Sequence, residues 1–174
     1  MFITKSLRVT LFLALLALTV GAVGVEQVAA KTVVAPKTVV SPYTAAQIVA
    51  EINNERIAQK LAPLTSNAAL TAAAQMKVND MVVNSYFAHY SPTGVAPWYW
   101  MDKAGYEFIH ASENLASGFK TTKSLVKGWM NSPTHKANIM GTQFTETGVA
   151  FAKVRQNGVT VWYVVQMFGA QFGS

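Results

Sequence analysis

The sequence predicts an α+β fold in which helices pack on a small antiparallel sheet. Two observations lead to this prediction. Apolar residues recur at helical spacing in several segments between residues 44 and 141, and the period changes to that of β-strands near the end of the chain. The 174 residues are enough for one hydrophobic core and too few for two ordinary domains.

The first 30 residues have the pattern of an export signal. Lys5 and Arg8 precede an uncharged run of 17 residues, 9–25, and small residues follow at 28–30. We therefore expect a signal peptide over 1–30, cleaved after Ala30, and a secreted, extracellular protein. The alternative is an uncleaved anchor that holds the domain at the cell surface, because 17 residues are near the lower limit for crossing a bilayer.

A proline-containing repeat comes next. Lys31-Thr-Val-Val-Ala-Pro36 is echoed by Lys37-Thr-Val-Val-Ser-Pro42. Two prolines without a helical period predict an extended linker over 31–42. The folded domain is expected over 43–174.

Five helices are predicted from capping residues and apolar spacing. Thr44 and Gln47 form a capping box before the first helix, which ends before Pro63. Its apolar stripe consists of Ile48, Val49, Ile52, Ile57 and Leu61. The other helices are expected over 67–84 and 98–104, after Thr121 or Thr122, and from Ser132-Pro133 to Gly141.

The last part of the chain predicts a β-hairpin. Residues 147–154 and 160–168 are rich in Val, Trp, Tyr and Phe, which favour strands. Gln156-Asn-Gly158 lies between them, and Asn-Gly is a strong signal for a two-residue turn.

Composition excludes several kinds of protein. With no cysteine there is no disulfide framework, no thiol nucleophile and no cysteine-based zinc site. Without the leader, 12 basic residues stand against 7 acidic ones. They are scattered and not interleaved with aromatic residues, so we expect no nucleic-acid partner and at most a weak attraction to anionic wall polymers or lipid headgroups.

Three polar residues could carry chemistry. His89 and His135 lie in polar surroundings at a loop and a helix start, and Glu113 stands between them in sequence. Imidazole and carboxylate suit zinc and similar divalent ions, and they also suit acid–base catalysis. Spacing alone leaves open that the three are unrelated polar residues.

Six short segments follow one another in a recognisable order over about residues 45–169. They are Asn53-Asn-Glu-Arg56, Phe87-Ala-His-Tyr-Ser-Pro92, Glu113-Asn-Leu115, Trp129-Met-Asn-Ser-Pro-Thr-His-Lys-Ala-Asn-Ile139, Gly148-Val-Ala150 and Gln166-Met-Phe-Gly169. In this order they resemble the motifs of the bacterial branch of the CAP superfamily, also called SCP or PR-1-like proteins.

The resemblance implies an α-β-α sandwich with a cleft where two histidines and one or two acidic residues meet. His89, Glu113 and His135 fall on the matching positions, so the resemblance favours them as cleft residues and ligands of zinc or another divalent cation. Many eukaryotic members have a glutamate three residues after the tryptophan, where this chain has Ser132. Glu146 is the nearest substitute, with an exposed strand-edge residue as the alternative.

Other residues are interpreted as structural. Asn53 and Arg56, one helical turn apart, are expected to pin the first helix to a neighbouring loop. Asn114 is expected to fix the backbone of a loop around Glu113, where Ser112 replaces the family's usual glycine. Core packing is the preferred interpretation of Trp129 and of most of the aromatic group formed by Trp98, Tyr99, Trp100, Tyr106 and Phe108.

The predicted function is that of a secreted binding module that holds a divalent metal and engages a cell-wall glycan, a lipid or an extracellular protein. One alternative is an extracellular hydrolase that uses metal-bound water or a His/Glu pair, with Ser91 or Ser132 as weaker nucleophile candidates. The other is a lipid or sterol carrier, which requires an apolar groove. Membrane association is expected only if the leader is not cleaved.

Overall fold

The computed structural model describes residues 41–173. The predicted signal peptide and all but the end of the predicted linker lie outside the described residues. The elements, in chain order, are α1 (Ala45–Ala58), β1 (Thr65–Ser66), α2 (Ala68–Val83), α3 (Trp98–Lys103), β2 (His110–Ser117), α4 (Thr122–Met130), α5 (Pro133–Met140), β3 (Glu146–Gln156) and β4 (Val159–Ala170).

The described strands form one mixed sheet in the order β1-β3-β4-β2. β3 and β4 form the predicted hairpin, and β2 adds to β4 in antiparallel register, with Glu113 opposite Met167. The short strand β1, which the sequence analysis does not predict, runs parallel to β3. The predicted α+β class is confirmed, with one short parallel strand added to the antiparallel sheet.

Helices cover both faces of the sheet and enclose two hydrophobic cores. One core lies among α1, α4, α5 and the sheet, and it includes Ile52, Trp129 and Phe168. The other lies between α2, α3 and the opposite face, and it includes Met81 and Met167. The outcome is the α-β-α sandwich that the family resemblance implies.

Local signals predict most of the helix starts and the hairpin turn correctly. Thr44 caps α1 in the expected capping box with Gln47. At the hairpin, Asn157 and Gly158 both have positive φ angles, 47° and 78°, as a type I′ turn requires. Ser132 holds the N-cap position of α5 without a side-chain capping bond to the helix backbone.

Two predictions are corrected. The segment around Glu113 was expected to be a loop, and it is the edge strand β2. Hydrogen bonding to β4 stabilises the extended conformation there, so Ser112 needs no glycine-like backbone angle. Ile57 was expected in the apolar stripe of α1 but is exposed, since that helix ends one residue later.

Within residues 41–173, no helix is both long enough and apolar enough to cross a bilayer.

Candidate functional site

Strand β2 carries the central acidic residue of the candidate site. β2 is the last strand at its side of the sheet. The side chain of Glu113 lies on the same face of the sheet as that of Leu115, which is the face covered by α2. Only 4% of the residue is exposed. A carboxylate in such a position needs compensating partners, because burial in an apolar environment disfavours its charged form.

His89 is the direct partner of Glu113. The His89 Nδ1 atom lies 2.6 Å from Oε1 of Glu113, and half of the histidine side chain is exposed. An ionised Glu113 accepts this hydrogen bond from Nδ1–H, which leaves the lone pair of a neutral imidazole on Nε2. Oε2 of Glu113 is buried and has no hydrogen-bond partner among residues 41–173.

Opposing electrostatic effects act on the pKa of the Glu113 carboxyl. Burial raises the pKa of the Glu113 carboxyl above its ordinary value. The hydrogen bond from His89 and the positive charge of Lys77 act in the other direction. Loss of either His89 or Lys77 should therefore raise the pKa of Glu113 further.

His135 reaches the same region from the opposite helical layer. It lies on α5, whose backbone is tied to β2 by two asparagines: Nδ2 of Asn114 donates to the carbonyl oxygen of His135 at 3.2 Å. Nδ2 of Asn138 donates to Oδ1 of Asn114 at 2.8 Å and to the carbonyl oxygen of Glu113 at 3.2 Å. Asn114 thus joins a strand to a helix rather than fixing a loop.

The imidazole of His135 is favoured in its neutral form. Partial burial lowers its pKa, and the nearby charge of His89 lowers it further. Among the described hydrogen bonds, the one that involves His135 outside its helix reaches the backbone carbonyl oxygen and not the ring. A neutral imidazole without a protein partner has a lone pair available for a cation or a proton.

Lys77 is the residue of the site that sequence reasoning missed. It lies on α2 and is fully buried. Its Nζ atom donates to the carbonyl oxygens of Ala88 at 2.9 Å and His89 at 2.7 Å, and to the hydroxyl of Tyr86 at 3.0 Å. Lys77 lies on the apolar face of the predicted second helix, in register with Ala73, Ala74 and Met81. A lysine at such a position in the sequence is the signal that could have identified it.

Glu146, proposed as a fourth cleft residue, lies in a different hydrogen-bonded group. Its carboxylate accepts hydrogen bonds from Asn67 at 2.8 Å, Tyr106 at 2.7 Å and Gln171 at 3.3 Å. None of these partners belongs to the histidine pair. Since β3 is separated from β2 by β4, Glu146 and Glu113 stand on different strands with a third between them.

Asn53 and Arg56 pin α1 to its neighbours. Asn53 donates to the carbonyl oxygen of Leu64 and accepts from its amide, at 2.9 and 2.8 Å. Arg56 is buried and donates to three backbone carbonyl oxygens. These acceptors belong to Ala62, Ile139 and Gly141, at 2.8, 2.7 and 2.9 Å.

The aromatic residues are divided between core and surface. Trp129 is 1% exposed, and its indole N–H donates to the carbonyl oxygen of Leu115 at 3.0 Å. Tyr106 is buried, whereas Trp98 and Tyr99 are 37% and 42% exposed. His110, at the start of β2, is exposed.

Neither candidate serine is activated by a histidine. Ser91 Oγ accepts from the amides of Thr93 and Val95 within its own turn. The hydroxyl of Ser132 lies 3.3 Å from that of Thr134. Among the described hydrogen bonds neither hydroxyl has an imidazole partner, which a serine nucleophile needs for activation.

An apolar groove lies apart from the histidines. It encloses about 360 Å³ and is lined mainly by Phe119, Val159, Val161 and Trp162. A lipid carrier requires a groove of this kind, but its lining includes no residue of the candidate site.

The metal-ligating potential resides in the two imidazoles. Across residues 41–173, no three His, Cys, Asp or Glu side chains converge as a ready-made metal-binding group. Oε1 of Glu113 is hydrogen-bonded to His89. This arrangement fits a carboxylate that orients a metal-ligating histidine without contacting the metal itself. Imidazole nitrogen ligands fit a zinc-like ion better than calcium or magnesium, which prefer oxygen ligands.

A known protein family matches this chain over most of its length. The model of the CAP family, described as the Cysteine-rich secretory protein family, matches residues 49–168. The chain therefore belongs to the CAP family.

Two of the proteins that this chain resembles come from Bacillus species. The uncharacterized protein YkwD of Bacillus subtilis (strain 168) is 39% identical over 107 residues, which cover 62% of this chain and 42% of YkwD. An extracellular SCP-domain protein from Bacillus anthracis str. Ames is 28% identical with a TM-score of 0.64, covering 73% of this chain and 40% of that one. The chain thus spans less than half the length of these two relatives.

A third similarity concerns the fold alone. An outer surface protein from Borrelia burgdorferi has a TM-score of 0.62 at 24% identity, covering 71% of this chain and 90% of that one. Two structural neighbours are thus described as extracellular or outer-surface proteins.

Proposed function

We propose that the chain is an extracellular binding module that holds a divalent metal ion between His89 and His135, with zinc as the preferred candidate. The observation that carries this proposal is the 2.6 Å contact between His89 Nδ1 and the buried Glu113 carboxylate. It orients the ring and leaves Nε2 as the available ligand atom, as an outer-shell carboxylate does for a metal-ligating histidine.

The second ligand in this proposal is His135. Its lowered pKa keeps the imidazole neutral near pH 7, which metal ligation requires. With two protein ligands, such an ion would keep positions open for water or for a polar group of a partner. The proposed partners are a cell-wall glycan, a lipid or an extracellular protein, and the similarity to an extracellular SCP-domain protein supports that location.

A zinc titration by calorimetry tests the proposal. We expect one zinc per chain, with affinity reduced at least tenfold in His89→Ala or His135→Ala and lost in the double variant. His110→Ala is the matched control, since His110 is exposed at the edge of the domain and should leave zinc binding unchanged. Absence of zinc binding, or equal binding by the double variant, would overturn the proposal.

A hydrolase is the second candidate, and the same histidine–glutamate pair favours it. A carboxylate that fixes one nitrogen of an imidazole leaves the other free to accept a proton from water. In this case the purified protein should hydrolyse glycan or ester substrates, and Glu113→Gln should lower kcat by about 100-fold with a smaller change in KM. No turnover across such substrates would exclude this candidate.

A further inference from the structure

Lys77 buries a positive charge directly beneath the segment that carries His89. The residue has no exposed surface, although its neighbours on α2, Ala73, Ala74 and Val78, belong to an apolar core. Removing a charged group from water is costly unless it is hydrogen-bonded and paired. A lysine at this position therefore calls for a specific role.

The ammonium group of Lys77 is fully satisfied. It has three donors, and the three acceptors are the carbonyl oxygens of Ala88 and His89 and the hydroxyl of Tyr86. The Tyr86 hydroxyl in turn donates to Asp80, one turn further along α2. Burial lowers the pKa of the Lys77 ammonium group, and the negative charges of Glu113 and Asp80 partly offset that effect.

The segment that receives these bonds has little other support. Among the described backbone hydrogen bonds outside helices and strands, none involves residues 87–90. Phe87 packs on the ring of Tyr163 with centroids 4.7 Å apart, which supports one side chain of the segment. The bonds from Lys77 are therefore the polar restraint on the backbone at His89.

We propose that Lys77 is the positioning residue of the histidine–glutamate site. By holding the carbonyl groups of Ala88 and His89, it directs Nδ1–H of His89 onto Glu113 and leaves Nε2 for a ligand. This proposal rests on the proposed function only for the identity of the ligand as a metal ion. The orientation of His89 itself can be measured in the metal-free protein.

The first test observes His89 in the metal-free protein by ¹⁵N nuclear magnetic resonance. In the wild type we expect one dominant tautomer, with a slowly exchanging, downfield Nδ1 proton. Lys77→Met should remove that signal, mix the tautomers and weaken zinc binding at least tenfold. A folded Lys77→Met protein with the wild-type His89 signal and zinc affinity would overturn the proposal.

Two further variants separate positioning from general loss of stability. Val78→Ala removes two methyl groups from a fully buried side chain of the same helix, so it should lower stability while leaving the His89 signal unchanged. Tyr86→Phe removes one acceptor but keeps both carbonyl bonds, and it should retain the dominant tautomer. Loss of the His89 signal in Val78→Ala would indicate a nonspecific effect and count against the proposal.

The wild-type ammonium group provides a measurement that needs no variant. If Lys77 holds the two carbonyls, its NH₃⁺ protons should exchange slowly and show nuclear Overhauser contacts to residues 88 and 89. A rapidly exchanging ammonium without those contacts overturns the proposal even if Lys77→Met does not fold. If zinc does not bind but His89 loses its orientation in Lys77→Met, the metal function fails and the positioning role stands.

Discussion

At the level of single residues, two buried tyrosines differ in whether their hydroxyl groups are hydrogen-bonded. Tyr106 and Tyr43 are each 2% exposed. The hydroxyl of Tyr106 donates to Glu146, whereas that of Tyr43 has no hydrogen-bond partner among residues 41–173. Burial raises the pKa of both hydroxyls, that of Tyr43 to about 12. The two hydroxyls should therefore contribute differently to stability.

Removing the hydroxyl of Tyr43 should cost little. We expect Tyr43→Phe to change the free energy of unfolding by less than about 1 kcal/mol and to favour the folded state, because it relieves an unsatisfied buried group. Tyr106→Phe should lower stability by about 2 kcal/mol, since it deprives a carboxylate of a donor. Urea unfolding followed by tryptophan fluorescence measures both. Equal losses in the two variants would contradict this interpretation.

At the level of elements, α2 packs unusually close to β3. A β-carbon on Gly148 would lie 2.1 Å from the amide nitrogen of Thr71 and 2.2 Å from the carbonyl carbon of Leu70. Only a glycine permits this approach of a strand to a helix backbone. The contact matters for function because α2 also carries Lys77.

A pair of glycine substitutions tests this packing. Gly148→Ala should lower the free energy of unfolding by about 3 kcal/mol, because the backbone of α2 has to move. Gly158→Ala meets nothing within 4 Å, and its positive φ of 78° should cost only about 1 kcal/mol. Chemical denaturation compares the two, and an equal or smaller loss for Gly148→Ala would show that the interface is adaptable.

Strand β2 is the element that connects the two helical layers at the site. Its alternating residues face opposite ways: Glu113 shares a face with α2, while Asn114 bonds to α5. Two consecutive residues of one strand can therefore position His89 and His135 from opposite sides. The edge location leaves room for both, because no further strand follows β2 in the described sheet.

At the level of the whole molecule, the chain is a cysteine-free member of a family named for its cysteines. Without disulfides the layers are held by the cores and by buried polar contacts. Arg56 is the clearest such contact, because it joins α1 to the end of α5. Its burial lowers the pKa of the guanidinium, which reflects the cost of removing it from water.

Loss of this contact should affect global stability. Arg56→Met leaves three backbone carbonyls without their donor, and we expect a loss of about 3 kcal/mol. Arg155→Met, at an exposed position in the hairpin, should stay within about 0.5 kcal/mol. Thermal unfolding monitored by circular dichroism compares them. A change in Arg56→Met no larger than in Arg155→Met would mean that α1 and α5 are held by apolar packing alone.

Features that depend on neighbours along the chain could be predicted from the sequence. Capping residues, proline positions and the Asn157-Gly158 pair act within a few residues, so helix starts and the hairpin turn followed from them. The family resemblance added His89, Glu113 and His135 as members of one site. It could not supply their contacts.

The pairing of polar groups could not be predicted, because it depends on how the elements pack. Ser112-Glu-Asn114 resembles a loop in sequence and becomes a strand through pairing with β4, which lies about fifty residues later. Lys77 and His89 are 12 residues apart, and Glu146 bonds to Tyr106 over 40 residues. Such partners are chosen by packing, since burial makes an unpaired polar group costly and only the fold determines which groups are buried together.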